Sequence, residues 1–177
     1  MEYWESLFNG DSLKHQLVAR YIYEHLFLGH LYLQDAGSDT IFFKLVRSRT
    51  PPGRPLDLIA TRRPYDDPGV DRVYYRLWRD PSSNVAKTHM PYQLTTARRE
   101  LWRKWFIEPT YSVTELPSYD ARTASNPFVT FNAIPVWARH SFLIDEAQFT
   151  VMNFIKGPVC RGNLALNAIQ DRFWVFF

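Results

Sequence analysis

The sequence predicts an α+β fold: a mainly helical domain with a small antiparallel β-sheet in its middle third. Three observations predict it. Apolar residues recur at helical spacing in the N-terminal part of the chain and again beyond residue 95. Between these stretches lie runs rich in β-branched and aromatic residues, separated by proline–glycine turns. The chain has 177 residues, 46% hydrophobic and 16% aromatic. That is enough for one core burying about two-thirds of the unfolded surface.

The elements follow in order. Asp11 and Ser12 are suited to N-capping a helix over residues 13–33. Its second half, from Tyr21 to Leu33, is apolar nearly all round, so it should be buried on most sides. Arg20, Glu24, His25 and His30 interrupt this run and argue against a membrane span. Residues 40–47, 56–61 and 73–78 read as strands, with turns at Pro51-Pro52-Gly53 and over residues 64–69. A second helix is predicted over about 95–107, carrying Leu101, Trp102, Trp105 and Phe106, followed by a proline-punctuated ordered loop over 109–127. A third helix starts near Ile134, with Pro135 in its first turn, and runs to about Lys156. A joint over 156–162, a short helix over 163–170 and a terminal aromatic strand over 173–177 complete the chain. An aromatic strand without a polar tail needs a neighbour to cover it. Residues 1–177 are therefore expected to form a single domain that is a fragment of a longer chain.

Charge and cysteine usage narrow the function classes. The net charge of +3 gives no strong global field. Arginine does recur in the middle third, at Arg47, Arg49, Arg54, Arg62, Arg63, Arg72, Arg76 and Arg79. These side chains suit either phosphates or solvated strand edges, and no nucleic-acid-binding motif accompanies them. The single cysteine, Cys160, excludes an internal disulfide and a cysteine-based zinc site. Beside Arg161 it suits either a thiolate of lowered pKa or a small buried residue at a tight joint. The opening Met1-Glu2-Tyr3-Trp4-Glu5 is acidic and aromatic, unlike a signal peptide.

Few residues stand out for chemistry. On a helical wheel of the third helix, Ile134, Trp137, Phe142, Phe149, Met152 and Ile155 form one apolar face, with Ser141, Asp145 and Gln148 in its middle. Polar groups there need partners, at about 1–3 kcal/mol for each unmet one. Asp145 and Gln148 thus either line a polar pocket, anchor a buried arginine or knit an internal hydrogen-bond network. His25 and His30, five apart, do not share a helix face and suit joint metal binding poorly. His89 precedes Met90-Pro91 in a predicted loop, where binding groups concentrate, and ranks first among the histidines. No metal site is expected. A serine-hydrolase elbow, a P-loop, a dinucleotide fingerprint and a Cys-x-x-Cys-His haem-attachment motif are all missing from the sequence.

Several strings resemble the bacterial fatty acid cis/trans isomerases. They are Ala19-Arg20-Tyr21-Ile22-Tyr23-Glu24-His25-Leu26-Phe27-Leu28 and Phe43-Lys44-Leu45-Val46-Arg47-Ser48-Arg49-Thr50-Pro51-Pro52-Gly53. Ala60-Thr61-Arg62-Arg63-Pro64-Tyr65-Asp66-Asp67-Pro68, Lys87-Thr88-His89-Met90-Pro91-Tyr92 and the run from Asp145 to Phe177 extend the resemblance to nearly the whole chain. It implies a periplasmic enzyme of Gram-negative bacteria that converts cis double bonds to trans in phospholipid acyl chains, lowering membrane fluidity under stress. It also implies haem c, held in the family by a Cys-x-x-Cys-His motif nearer the N-terminus, which draws electron density from the alkene so that the bond can rotate.

By residue type and position, His89, Asp145 and Gln148 are the candidate catalytic residues, and His25 and His89 the candidate haem axial ligands. The expected partners are membrane phospholipid acyl chains and the haem-bearing remainder of a longer chain, with no nucleic acid. The runner-up is a non-catalytic lipid-binding or scaffold module docking on a separate haem domain.

Overall fold

A computed structural model describes residues 1–33, 41–80 and 91–145. Helices α1 (Glu2–Phe8) and α2 (Leu13–Leu26) lead into strand β1 (His30–Leu33). Strands β2 (Phe42–Ser48), β3 (Tyr74–Arg79) and β4 (Pro91–Leu94) follow. Helix α3 (Thr96–Trp102) continues through a π-helical turn (Arg103–Ile107) to α4 (Ala121–Ala124), α5 (Pro127–Thr130) and α6 (Val136–Asp145). The α+β expectation holds.

Helix α2 begins where the sequence places it, with the Ser12 hydroxyl accepting from the His15 amide at 3.2 Å. It ends earlier than expected. The Gly29 amide closes a turn on the Leu26 carbonyl at 2.9 Å, and the chain leaves as β1. An all-apolar run carries no period that separates helix from strand. Here β1 is an inner strand in the order β3-β2-β1-β4, so both its edges are paired.

The sheet differs from expectation in two further ways. β1–β2 and β2–β3 are antiparallel, but β1 and β4 are parallel, which makes the sheet mixed. The predicted strand over 56–61 is reduced to one bridge, Ser48 with Leu58, flanked by the bonds Arg49 N–H to Asp57 O and Ile59 N–H to Arg47 O. Prolines 51, 52 and 55 remove donors that a longer ladder needs. The Arg76 guanidinium then holds this loop through the Pro51 carbonyl at 2.9 Å. Gly53 supplies its left-handed residue at φ +83°, with open space around an added Cβ. Gly53→Ala should therefore cost about 1–2 kcal/mol from backbone strain alone. An unchanged urea midpoint would mean that the turn relaxes.

One face of the sheet carries the core. Leu31, Phe43, Leu45, Tyr75, Leu77, Tyr92 and Leu94 are buried against Trp4, Phe8, Leu17, Ile22 and Leu26 of α1 and α2. From the C-terminal side Trp102, Phe106, Phe131, Ile134, Ala138 and Phe142 join the same cluster. Burying such a side chain is worth about 1.5–3 kcal/mol.

The expected face of α6 holds only in part: Phe142, and Ile134 just before the helix, are fully buried. Ala138, Phe142 and Leu143 point inward, while Trp137 is 51% exposed and Asp145 is exposed at the helix end. The α6 turn packs on the π-helical segment, and that neighbour, which a wheel does not contain, sets which side is buried. The continuation of this helix, the joint with Cys160, the short helix over 163–170 and the terminal strand lie outside the described residues.

Candidate functional site

Strand alternation and helix spacing bring an unusual set of charges inside the molecule. On β2, Phe43, Leu45 and Arg47 alternate inward, so Arg47 is only 1% exposed. On α2, Arg20 and Glu24 stand one turn apart, joined from Arg20 Nε to Glu24 Oε1 at 2.8 Å. Arg20 is 4% exposed. Its Nη1 donates to the Pro117 carbonyl at 2.9 Å, and its guanidinium lies 3.9 Å from the Tyr119 ring centre.

The Arg47 guanidinium donates to the Asp66 carbonyl at 2.8 Å and to the Thr61 hydroxyl, and it lies 5.5 Å from the Tyr23 ring centre. Tyr75 of β3 completes the group, buried at 3% exposure.

Electrostatics follow from that burial. Loss of water pushes the Glu24 carboxyl up, outweighing the pull of Arg20 and Arg47. Burial likewise pushes the Tyr75 and Tyr23 hydroxyls up. Arg20 Nη2 and Arg47 Nε are buried donors without a hydrogen-bond partner. A cavity of about 40 Å³ adjoins Arg20, Tyr75 and Tyr119.

A second centre is aromatic. The Tyr21 ring touches those of His25, Phe106, Phe131 and Phe142 at centroid distances of 4.3, 5.7, 5.0 and 5.6 Å. His25 is 1% exposed, with Nδ1 2.7 Å from the Tyr21 carbonyl. Burial lowers its pKa to about 4, so it is a neutral imidazole at pH 7.

A family profile described as fatty acid cis/trans isomerase (CTI) matches residues 1–177. The chain belongs to the fatty acid cis/trans isomerase family. Neither a curated protein nor a solved structure matches it. Membership makes cis/trans isomerisation the general activity to be explained in this fold.

Among the candidates for an isomerase site, the structure describes only part. His25 lies in the aromatic core and Asp145 at the exposed end of α6, so the two are not brought together. His89 and Gln148 lie outside the described residues. Ser141, on the polar line with Asp145, is half-buried. His30 sits on β1 with Nε2 3.8 Å from Asp80 Oδ2.

The haem implied for an isomerase of this family does not fit His25. A porphyrin needs an open face beside the ligating nitrogen, and this ring is closed in by Tyr21 and by Phe142, 5.6 Å away. Among the described residues no group of three or more His, Cys, Asp or Glu could hold a metal ion. No described helix is long and apolar enough to cross a membrane.

The middle-third arginines resolve into separate roles. Arg47, Arg72 and Arg76 clamp loops from within: Arg72 donates to the Gly10 carbonyl at 3.0 Å, and Arg76 also meets Glu5 Oε1 at 3.2 Å. Arg54, Arg62, Arg63 and Arg79 are exposed. The Arg20–Glu24–Arg47 cluster was not singled out from the sequence as a site. Two signals point to it: an oppositely charged pair one turn apart inside an apolar helix, and an arginine in phase with the buried residues of a strand.

Proposed function

We propose that the chain works in the periplasm as part of a fatty acid cis/trans isomerase acting on double bonds in the acyl chains of membrane phospholipids. The family match supports the reaction class. The structural observation that supports a lipid surface is the apolar exposure gathered on α5 and α6. Phe128, Val129, Val136, Trp137 and Ile144 are 60%, 50%, 71%, 51% and 54% exposed. Trp137 and Ile144 lie two turns apart on one side of α6. Water-exposed aromatic and aliphatic side chains at this density suit the boundary between head groups and acyl chains.

In this proposal the haem belongs to a region of the full-length protein that the chain docks against, because His25, the described candidate ligand, is enclosed by Tyr21 and Phe142. The same observation favours a second possibility, a non-catalytic lipid-binding module whose partner carries all the chemistry.

The test mixes the chain with vesicles of dioleoyl phosphatidylglycerol and phosphatidylethanolamine, with and without added ferric haem, and measures trans acyl chains by gas chromatography. Trans product that depends on haem supports catalysis by the chain. Vesicle binding without product leaves the module. Trp137→Asp should weaken vesicle binding about tenfold, equivalent to about 1.4 kcal/mol, and equal binding by both forms would remove α6 from the lipid surface.

A further inference from the structure

Helix α1 stands where a further strand would pair with β3. Among the described residues β3 ends the strand order, and its outer edge meets α1. Asn9, the C-cap of α1, holds that edge with its carboxamide. Its Oδ1 accepts from the Tyr75 amide at 2.8 Å, and its Nδ2 donates to the Tyr75 carbonyl at 2.8 Å. Nδ2 also donates to the Glu5 carbonyl at 2.8 Å. One turn earlier, Glu5 Oε1 accepts from the Leu77 amide at 2.8 Å. An edge left open is a template for pairing with another chain, so such a cover matters.

The cover rests on a chemically labile dipeptide. Asn9 is followed by Gly10, the sequence's single Asn-Gly pair. Glycine leaves its main-chain nitrogen unshielded and its backbone free to rotate. Packing keeps the glycine there, because a Cβ added at Gly10 would lie 2.5 Å from His15 Cγ. Asn9 is only half-buried, so water reaches it.

We propose that Asn9 is a covalent modification site, a deamidation switch that the grip of α1 on β3 holds off and that, once thrown, releases α1. In the reaction the Gly10 nitrogen gives its proton to solvent and bonds to Asn9 Cγ. The Cγ–Nδ2 bond breaks, and Nδ2 takes up a proton and leaves as ammonia. Water then opens the five-membered imide, at Cγ to give aspartate or at the main-chain carbonyl to give isoaspartate. No oxidation or reduction occurs, and water is the co-reactant. In the folded chain the two bonds to Tyr75 fix Cγ against β3, and Arg72 Nη2 holds the Gly10 carbonyl at 3.0 Å. Both restraints oppose the rotation that brings nitrogen and Cγ together. After conversion the Nδ2 donor is gone. A carboxylate oxygen then faces the Tyr75 and Glu5 carbonyls, one turn from the buried Glu5 carboxylate. The unmet carbonyl and the like charge both oppose redocking of α1. The switch is independent of the isomerase activity, and its readouts are mass and hydrogen exchange, so either can fail alone.

The experiment keeps the 177-residue chain in mildly alkaline buffer beside a synthetic peptide of residues 5–13, and follows ammonia loss at Asn9 by peptide-mapping mass spectrometry. The folded chain should deamidate at least tenfold more slowly than the peptide. Asn9→Asp, which reproduces the aspartate product, should let the Leu77 amide exchange at least tenfold faster than in wild type, since Glu5 of α1 holds that amide. The Asp80 amide, held by the Phe42 carbonyl within the sheet, is the control and should keep its rate. A folded chain that deamidates as fast as the peptide overturns the guarded site. Asn9→Asp with Leu77 still protected, or with Leu77 and Asp80 exchanging faster together, overturns the release of α1.

Discussion

Replacing Arg20 with methionine is expected to destabilise the fold by about 3–5 kcal/mol, among the largest single-residue losses the structure predicts. The cause is what remains behind. Glu24 has only 10% of its side chain exposed and loses the guanidinium 2.8 Å away that justifies its charge. Its carboxyl is already pushed up by burial in the wild type, and removing Arg20 takes away the largest opposing influence. Glu24 therefore binds a proton more readily in the folded than in the unfolded R20M chain. Stability is then favoured at low pH and is lost as pH rises through the raised carboxyl pKa.

Urea denaturation of R20M at several pH values should show partial recovery on acidification, and R20M/E24Q should recover part of the loss at pH 7. A double variant no more stable than R20M would mean that the cost comes from the Pro117 and Tyr119 contacts instead. Those contacts tie α2 to the loop before α4, so that outcome would relocate the loss to packing.

The second large effect is acid lability centred on His25. Its folded pKa of about 4 lies below the ordinary 6.5, so the unfolded chain binds the proton more readily. The contribution is fully present above pH 6.5 and is lost as pH falls toward 4, by about 3 kcal/mol over that window. Glu24 titrates with the opposite sign, so the wild-type curve alone mixes the two. The difference in unfolding free energy between wild type and His25→Leu isolates the histidine. It should shrink by about 3 kcal/mol between pH 6.5 and 4, and a flat difference would show that His25 gains its proton without leaving the core.

Much of the fold is legible in residue patterns. The Ser12 cap, the strand character of β2 and β3, and the helix through Trp102 and Phe106 all follow from local rules, because hydrogen-bonding side chains and alternation act over a few residues. Leu31 to Leu33 is different: its residues are apolar on every side, and only pairing with both β2 and β4 makes it a strand. Trp137 was misplaced on the inward side of α6 for a similar reason. Trp137 and Ala138 are both apolar enough to face inward, and the position of the π-helical segment selects Ala138.

The candidate site shows the same division. Arg20, Glu24 and Arg47 are visible in the sequence as charges in apolar company. Their meeting is not, since Arg20 and Arg47 come from different elements and their donors end on the Pro117 and Asp66 carbonyls. Asp145, by contrast, is exposed once α6 takes its place.

By itself the sequence determined the class of fold, the local helices and strands, and, through its long matching strings, membership in the isomerase family. Tertiary structure alone decided that His25 is an enclosed core imidazole, that Arg20 pairs with Glu24 out of water while Arg47 is buried on the Asp66 carbonyl and Thr61, and that a cavity adjoins Arg20. The physical reason is range. Capping, periodicity and turn chemistry act between near neighbours along the chain, whereas burial, charge balance and cavity shape depend on which distant segments come to rest against each other.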